Sequence, residues 1–202
     1  MNNITLSLLV VLLVGVSGFF VFSTQKATSP LPSPVSPTTA PTIPAPTGLG
    51  RGGNSYSDPS NIFTFLYPTD YTIDTQDPVH VRIYKRGESQ RPQSEMSDGA
   101  LVVFEALDLK GTKLETWVDT HIKQSTADGT TEITFAKKPI MHNGYPGFQY
   151  TLRGLGTSQN IVLQKDANST HALLITFAIS DPNQKGYQDE VDSILQSITL
   201  AK

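Results

Sequence analysis

The sequence predicts an α+β fold: an antiparallel sheet covered by helices, preceded by a single transmembrane helix and a disordered proline-rich linker. Three observations carry that prediction. Ile4 to Ser23 is a run of 20 residues without a charge, rich in Leu, Val and Phe. Prolines then recur at 30, 32, 34, 37, 41, 44 and 46 among Ser, Thr and Ala. Beyond that stretch, short alternating strands are interrupted once and closed once by an amphipathic helix, and strands, helix, strands, helix is an α+β order.

Residues 1–3 form a short tail, and the apolar run at 4–23 follows. At 1.5 Å rise per residue that run spans roughly 30 Å, the thickness of a bilayer's hydrocarbon core. It has no polar face, which argues against a buried helix of a soluble fold. Its length favours a retained signal anchor over a cleaved signal peptide, although Gly18 and Ser23 are small enough to precede a cleavage site. The expected location is therefore the cell membrane, single-pass, with the C-terminal domain extracytoplasmic, or secreted if the segment is cleaved. Residues 24–56 read as the linker. Proline blocks ladder and helix hydrogen bonds and favours extended polyproline II, so the segment is a semi-rigid spacer. Its Gly48 to Gly53 end is a hinge.

The domain is expected over 57–202. Phe63 to Tyr67 alternates as a strand and stops at Pro68. Val79, Val81 and Ile83 alternate with His80, Arg82 and Tyr84, a half-buried strand with a polar outer face. Lys85 to Gly99 is polar and reads as a mobile loop, and Ala100 to Leu107 as an apolar strand. Thr112 and Glu115 have capping-box spacing ahead of a helix whose Leu114, Trp117, Val118 and Ile122 form one stripe. A meander follows: Ile133 to Met141, a type I′ turn at Asn143-Gly144, a return strand with Phe148, Tyr150 and Leu152, a turn at Gly154 and Gly156, and a strand at 161–164. After a turn at 166–169, Thr170 to Ile179 is apolar on both faces, so it is expected to be the longest and central strand. Asp181-Pro182 is read as a helix start, and Tyr187, Val191, Ile194, Leu195 and Ile198 as the buried stripe of that last helix.

Phe63-Thr64-Phe65-Leu66-Tyr67-Pro68 ahead of Tyr71, Gly144-Tyr145-Pro146-Gly147-Phe148, and Ile194-Leu195-Gln196-Ser197-Ile198 resemble PsbP-like domains. That family comprises the photosystem II extrinsic protein and its non-photosynthetic bacterial relatives, and the resemblance covers about residues 61–200. It implies an antiparallel sheet sandwiched by helices, an α/β/α sandwich often found on exported proteins. It carries over no catalytic residue, since the matching positions are packing and turn residues. A photosystem accessory role would require a thylakoid source.

Composition narrows the chemistry. There is no cysteine, which removes disulfides, thiolate metal sites and a cysteine nucleophile. All 18 acidic residues lie at or after Asp58, so the acid excess behind the net charge of -3 resides in the domain. Without a Lys/Arg cluster, nucleic acid is not an expected partner. His80, His121, His142 and His171 are scattered, with no pair at metal-ligand spacing. There is no G-x-S-x-G elbow, P-loop or dinucleotide fingerprint, so no cofactor is expected. Asp189, Glu190 and Asp192 read as the solvated face of the last helix. The long polar loop, with Arg86 and Arg91, is the candidate contact surface.

The function expected is a membrane-tethered extracytoplasmic interaction or ligand-binding module, non-enzymatic. Its partners are the membrane, through the N-terminal helix, and a cell-envelope protein or small ligand. The alternative is an extracytoplasmic hydrolase whose site assembles only in three dimensions, in a pocket drawing on His142 or His171.

Overall fold

The computed structural model describes residues 53–77, 79–91 and 95–201. The apolar run at 4–23 and the proline-rich stretch lie outside them. No helix among the described residues is long and apolar enough to cross a membrane.

Among the described residues, ten strands and two helices follow one another as β1 (Asn54–Ser57), β2 (Phe63–Tyr67), β3 (Thr72–Asp74), β4 (His80–Arg86), β5 (Gly99–Asp108), α1 (Leu114–Ser125), β6 (Glu132–His142), β7 (Tyr145–Arg153), β8 (Thr157–Gln164), β9 (His171–Ser180), α2 (Tyr187–Gln196) and β10 (Thr199–Leu200). They form two antiparallel sheets, not the single one expected. The large sheet runs β3-β4-β5-β9-β8-β7-β6 and the small one β1-β2-β10. The first strand, β1, begins at Asn54, inside the stretch read as linker, and pairs with β2 from Asn54–Tyr67 to Ser57–Thr64.

Strand β9 is the middle of seven, as its two apolar faces require. Leu173, Ile175 and Phe177 enter one core, while Ala172 and Leu174 enter the other. At 10 residues it is one shorter than β6, which is therefore the longest strand. The first core lies between the large sheet, α2 and the small sheet. Phe65 of β2 stacks on Phe104 of β5 with centroids 4.1 Å apart and planes 13° from parallel, a geometry aromatic pairs favour when slightly offset. The second core lies under α1, where Leu114 and Val118 are buried and Trp117 and Ile122 are half-covered.

Local chemistry explains where element ends differ from expectation. Helix α1 has Lys113 at its N-cap and no side-chain cap, so the Thr112–Glu115 capping box does not form. The Thr112 amide instead closes a turn onto the Leu109 carbonyl at 2.8 Å. Helix α2 starts at Tyr187, five residues beyond Pro182. The Asp181 carboxylate still serves that start, accepting from the amides of Lys185 at 2.7 Å, Gly186 at 2.8 Å and Tyr187 at 3.3 Å. The acceptor was legible; the turn inserted between it and the helix was not. The β6–β7 hairpin turns at Asn143 and Gly144 with φ of 51° and 82°, the positive pair that type I′ demands.

The loop between β4 and β5 is shorter than expected, because Lys85 and Arg86 belong to β4 and Gly99 to β5. Its described part is knit together by hydrogen bonds. The Gly87 amide donates to the Asp98 carbonyl at 2.9 Å, and Gln90 Oε1 accepts from the amides of Ser97 and Asp98. Asp98 is 1% exposed.

Candidate functional site

The three stretches that carry the resemblance meet at one corner of the molecule. Ser197 Oγ accepts from the Leu66 amide at 2.8 Å. Asn143 Nδ2 donates to the Gln196 carbonyl at 2.8 Å, and His142 Nε2 donates to the Leu195 carbonyl at 2.9 Å. Tyr145 Oη accepts from the Leu200 amide at 3.1 Å. The two contacts to the Leu195 and Gln196 carbonyls satisfy acceptors at the α2 C-terminus and fix α2 against the β6–β7 hairpin. The shared residues are packing residues.

Beside that corner α2 stops short of covering the sheet, leaving a cleft of about 380 Å3. Its floor is apolar, with Ile161, Phe177 and Leu195 buried. Gln149 and Thr151 of β7 and Gln159 of β8 project from the sheet, because alternation along each strand puts them on the side opposite Tyr150 and Val162. Gln188 and Asp192 line the α2 wall, joined by a hydrogen bond of 2.9 Å from Gln188 Nε2. Gln149, Thr151 and Gln159 make no side-chain hydrogen bond among the described residues. An apolar floor ringed by a few unoccupied polar groups is how small-molecule sites are built. The lining holds one carboxylate and no ammonium or guanidinium group, so it suits uncharged or cationic molecules better than anions.

His142 lines the same cleft, but its Nε2 proton is held by α2, and no hydrogen bond joins it to Thr151. His171 lines a separate cleft with Asp58, Asp77 and Asp108. Among the described residues, no cluster of three or more His, Asp or Glu side chains can hold a metal ion.

The acidic residues of α2 do not form one solvated face. Asp189 and Asp192 are exposed, but Glu190 Oε1 accepts from Lys85 Nζ at 2.7 Å, and Asp70 Oδ2 contacts the same ammonium at 2.7 Å. The ammonium sits 5.8 Å from the Tyr71 ring centroid and 5.5 Å from that of Tyr187. Burial pulls the Lys85 pKa down, but Asp70 and Glu190 outweigh it and hold it above the usual lysine value. Burial, then the Glu190 charge, pushes the Tyr71 phenol far up. No sequence signal marks this arrangement, since Asp70, Lys85 and Glu190 are far apart along the chain. Asp98 lies nearby; its carboxyl is held low first by the Ser89 hydroxyl, which donates at 2.6 Å, and then by the Ser89 amide at 2.9 Å.

The two arginines of the candidate contact loop are both exposed and sit apart. Arg86 stacks over Tyr84 of its own strand at 5.1 Å, while Arg91 lines a shallow surface depression with Ser89, Glu95 and Ser97. Neither reaches the α2 cleft.

No family model matches the chain, and no curated protein matches it in sequence. Solved structures similar to it include cyanobacterial PsbP (CyanoP) from Synechocystis sp. PCC 6803, 13% identical with a TM-score of 0.47 over 78% of this chain and 100% of that one. The Saccharomyces cerevisiae Ran-binding protein Mog1p is 9% identical, with a TM-score of 0.45 over 74% of this chain and 95% of its own. Protein PA94 of unknown function from Pseudomonas aeruginosa is 10% identical, with a TM-score of 0.43 over 74% and 98%. The PsbP-like resemblance seen in the sequence thus has a solved PsbP among its structural matches.

Proposed function

We propose that this chain is a non-enzymatic, extracytoplasmic binding module, held to the membrane by residues 4–23 and displayed on its proline-rich linker. Its ligand seat is the cleft beside α2. One observation carries this reading: a buried apolar floor ringed by Gln149, Thr151 and Gln159, whose side chains have no partner among the described residues. The ligand is a small uncharged or cationic molecule bearing hydroxyl or amide groups and one apolar face. A hydrolase would need a base free to take a proton from a nucleophile, and His142 is turned to the Leu195 carbonyl instead.

The test is the thermal stability of the full chain in detergent micelles with glucose, N-acetylglucosamine or tyramine, and with benzoate as the anionic control. A ligand at 100 times its dissociation constant stabilises the folded state by about 2.7 kcal/mol, a shift of several degrees. Stabilisation by a neutral or cationic probe, lost in Gln149→Ala, supports the seat. No shift with any of them, or a shift with benzoate alone, counts against it.

A further inference from the structure

The face of the large sheet opposite α2 carries a separate depression, a trough of about 330 Å3 lined by His80, Arg82, Val103, Glu105, His121, Leu174 and Thr176. Strand register sets its grid. His80 pairs with Glu105 and Arg82 with Val103 across β4 and β5, while Glu105 pairs with Leu174 and Val103 with Thr176 across β5 and β9. Arg82 and Glu105 are therefore diagonal neighbours on one face, a separation of about 7–8 Å. Val103 and Leu174 form an apolar floor beside them.

Three of the polar groups in the trough, His121, Glu105 and Arg82, have capacity to spare. Among the described residues, the buried Tyr150 hydroxyl, on a residue 1% exposed, bonds only to His121 Nδ1, at 2.8 Å. A buried phenol must donate its proton somewhere, so Nδ1 accepts it and the imidazole proton resides on Nε2. Burial lowers the His121 pKa against the opposing charge of Glu105, and the ring is held flat on Trp117 at 5.0 Å. Its Nε2–H makes no hydrogen bond among the described residues. Glu105 Oε2 is 3.4 Å from His80 Nε2, which leaves Oε1 available. Arg82 Nη2 touches Asp77 only loosely, at 3.7 Å, and its side chain is 48% exposed. Asp77 is the closer partner of His80 Nδ1, at 2.7 Å.

We propose that this trough binds a free α-amino acid with an apolar side chain: the carboxylate on Arg82 and His121, the ammonium on Glu105, the side chain over Val103 and Leu174. A plain carboxylate would face the like charge of Glu105, and a plain amine would face the like charge of Arg82. Only a molecule carrying both charges a few bonds apart answers both ends. This site is independent of the cleft beside α2, and its ligand chemistry differs.

The test is ligand-observed saturation-transfer NMR on the full chain in detergent micelles, with L-leucine as probe. 4-Methylpentanoate, which lacks the ammonium, and isopentylamine, which lacks the carboxylate, are the comparisons. L-Leucine should give a saturable signal, and each analogue should bind about tenfold more weakly or worse, the effect of one lost charge-assisted hydrogen bond. Arg82→Gln and Glu105→Gln should each weaken L-leucine to a similar degree, with the Trp117 emission spectrum confirming the fold. No saturable L-leucine signal, or an analogue binding as well as L-leucine, overturns the proposal on the unmodified chain, whatever the variants do.

Discussion

Replacing Lys85 with Met removes the ammonium that joins Asp70 and Glu190 while keeping the stem between Tyr71 and Tyr187. The cost follows from exposure. Asp70 is 57% exposed, so its ion pair is worth well under about 1 kcal/mol. Glu190 is 28% exposed, and its second oxygen, Oε2, is buried with no hydrogen-bond partner among the described residues. Stripping its cation leaves a half-desolvated carboxylate, a penalty between the surface value and the roughly 3–5 kcal/mol of a fully buried pair. The expected loss is about 2 kcal/mol. Glu190→Gln alone, which keeps the shape and leaves Lys85 its Asp70 partner, should cost about 1 kcal/mol. The double variant should cost about as much as Lys85→Met alone, giving a coupling energy of about 1 kcal/mol. Trp117 is the only tryptophan and packs on the α1 core, so its fluorescence in urea reports unfolding. With a slope of about 2 kcal/mol/M, Lys85→Met should lower the midpoint by about 1 M. A midpoint within about 0.2 M of the parent, or strictly additive single variants, would refute the view that this ion cluster holds α2 to β4.

Three other outcomes follow from particular contacts. A Cβ at Gly147 would collide with the Val162 carbonyl on β8, so Gly147→Val should destabilise by about 3 kcal/mol or prevent folding, read as a lowered thermal midpoint. Asn143→Ala removes the donor to Leu195 and Gln196 and the residue at φ of 51°, and should cost about 1–2 kcal/mol in urea denaturation. His121 has a lowered pKa because it is buried, so its stabilising contribution is present above the unfolded value of about 6.5 and lost as pH falls, when the unfolded chain binds a proton the folded chain resists. The urea midpoint should therefore drop between pH 7.5 and 5.5, and drop less in His121→Gln; equal slopes would contradict the assignment.

How much of this was legible depended on the range of the interaction. Phe63–Tyr67 appears as a strand with the bounds read from alternation, and the Asn143-Gly144 turn follows from local backbone preference alone. The centrality of β9 could be inferred because two buried faces leave a strand no edge to occupy. What failed was anything set by distant partners. Phe63 and Phe65 look like part of the main sheet until Phe104 is known to lie against them from another layer. Glu190 looks solvated from its helix position, and only the arrival of Lys85 shows otherwise. The α2 cleft could not be anticipated, because Gln149, Gln159, Gln188 and Asp192 are ordinary surface residues until the shortfall of α2 over the sheet brings them around one floor. Arg86 and Arg91 stand out by their place in a long polar loop, which sequence exposes more readily than concavity.

The most direct measurement is backbone amide shift mapping of the 15N-labelled full chain in micelles, titrated with whichever of glucose, N-acetylglucosamine or tyramine stabilises it. Saturable shifts centred on Gln149, Thr151, Gln159, Ile161 and Gln188 are the predicted result. Saturable shifts confined to other parts of the surface, or none with any probe, would contradict the α2 cleft as the ligand seat.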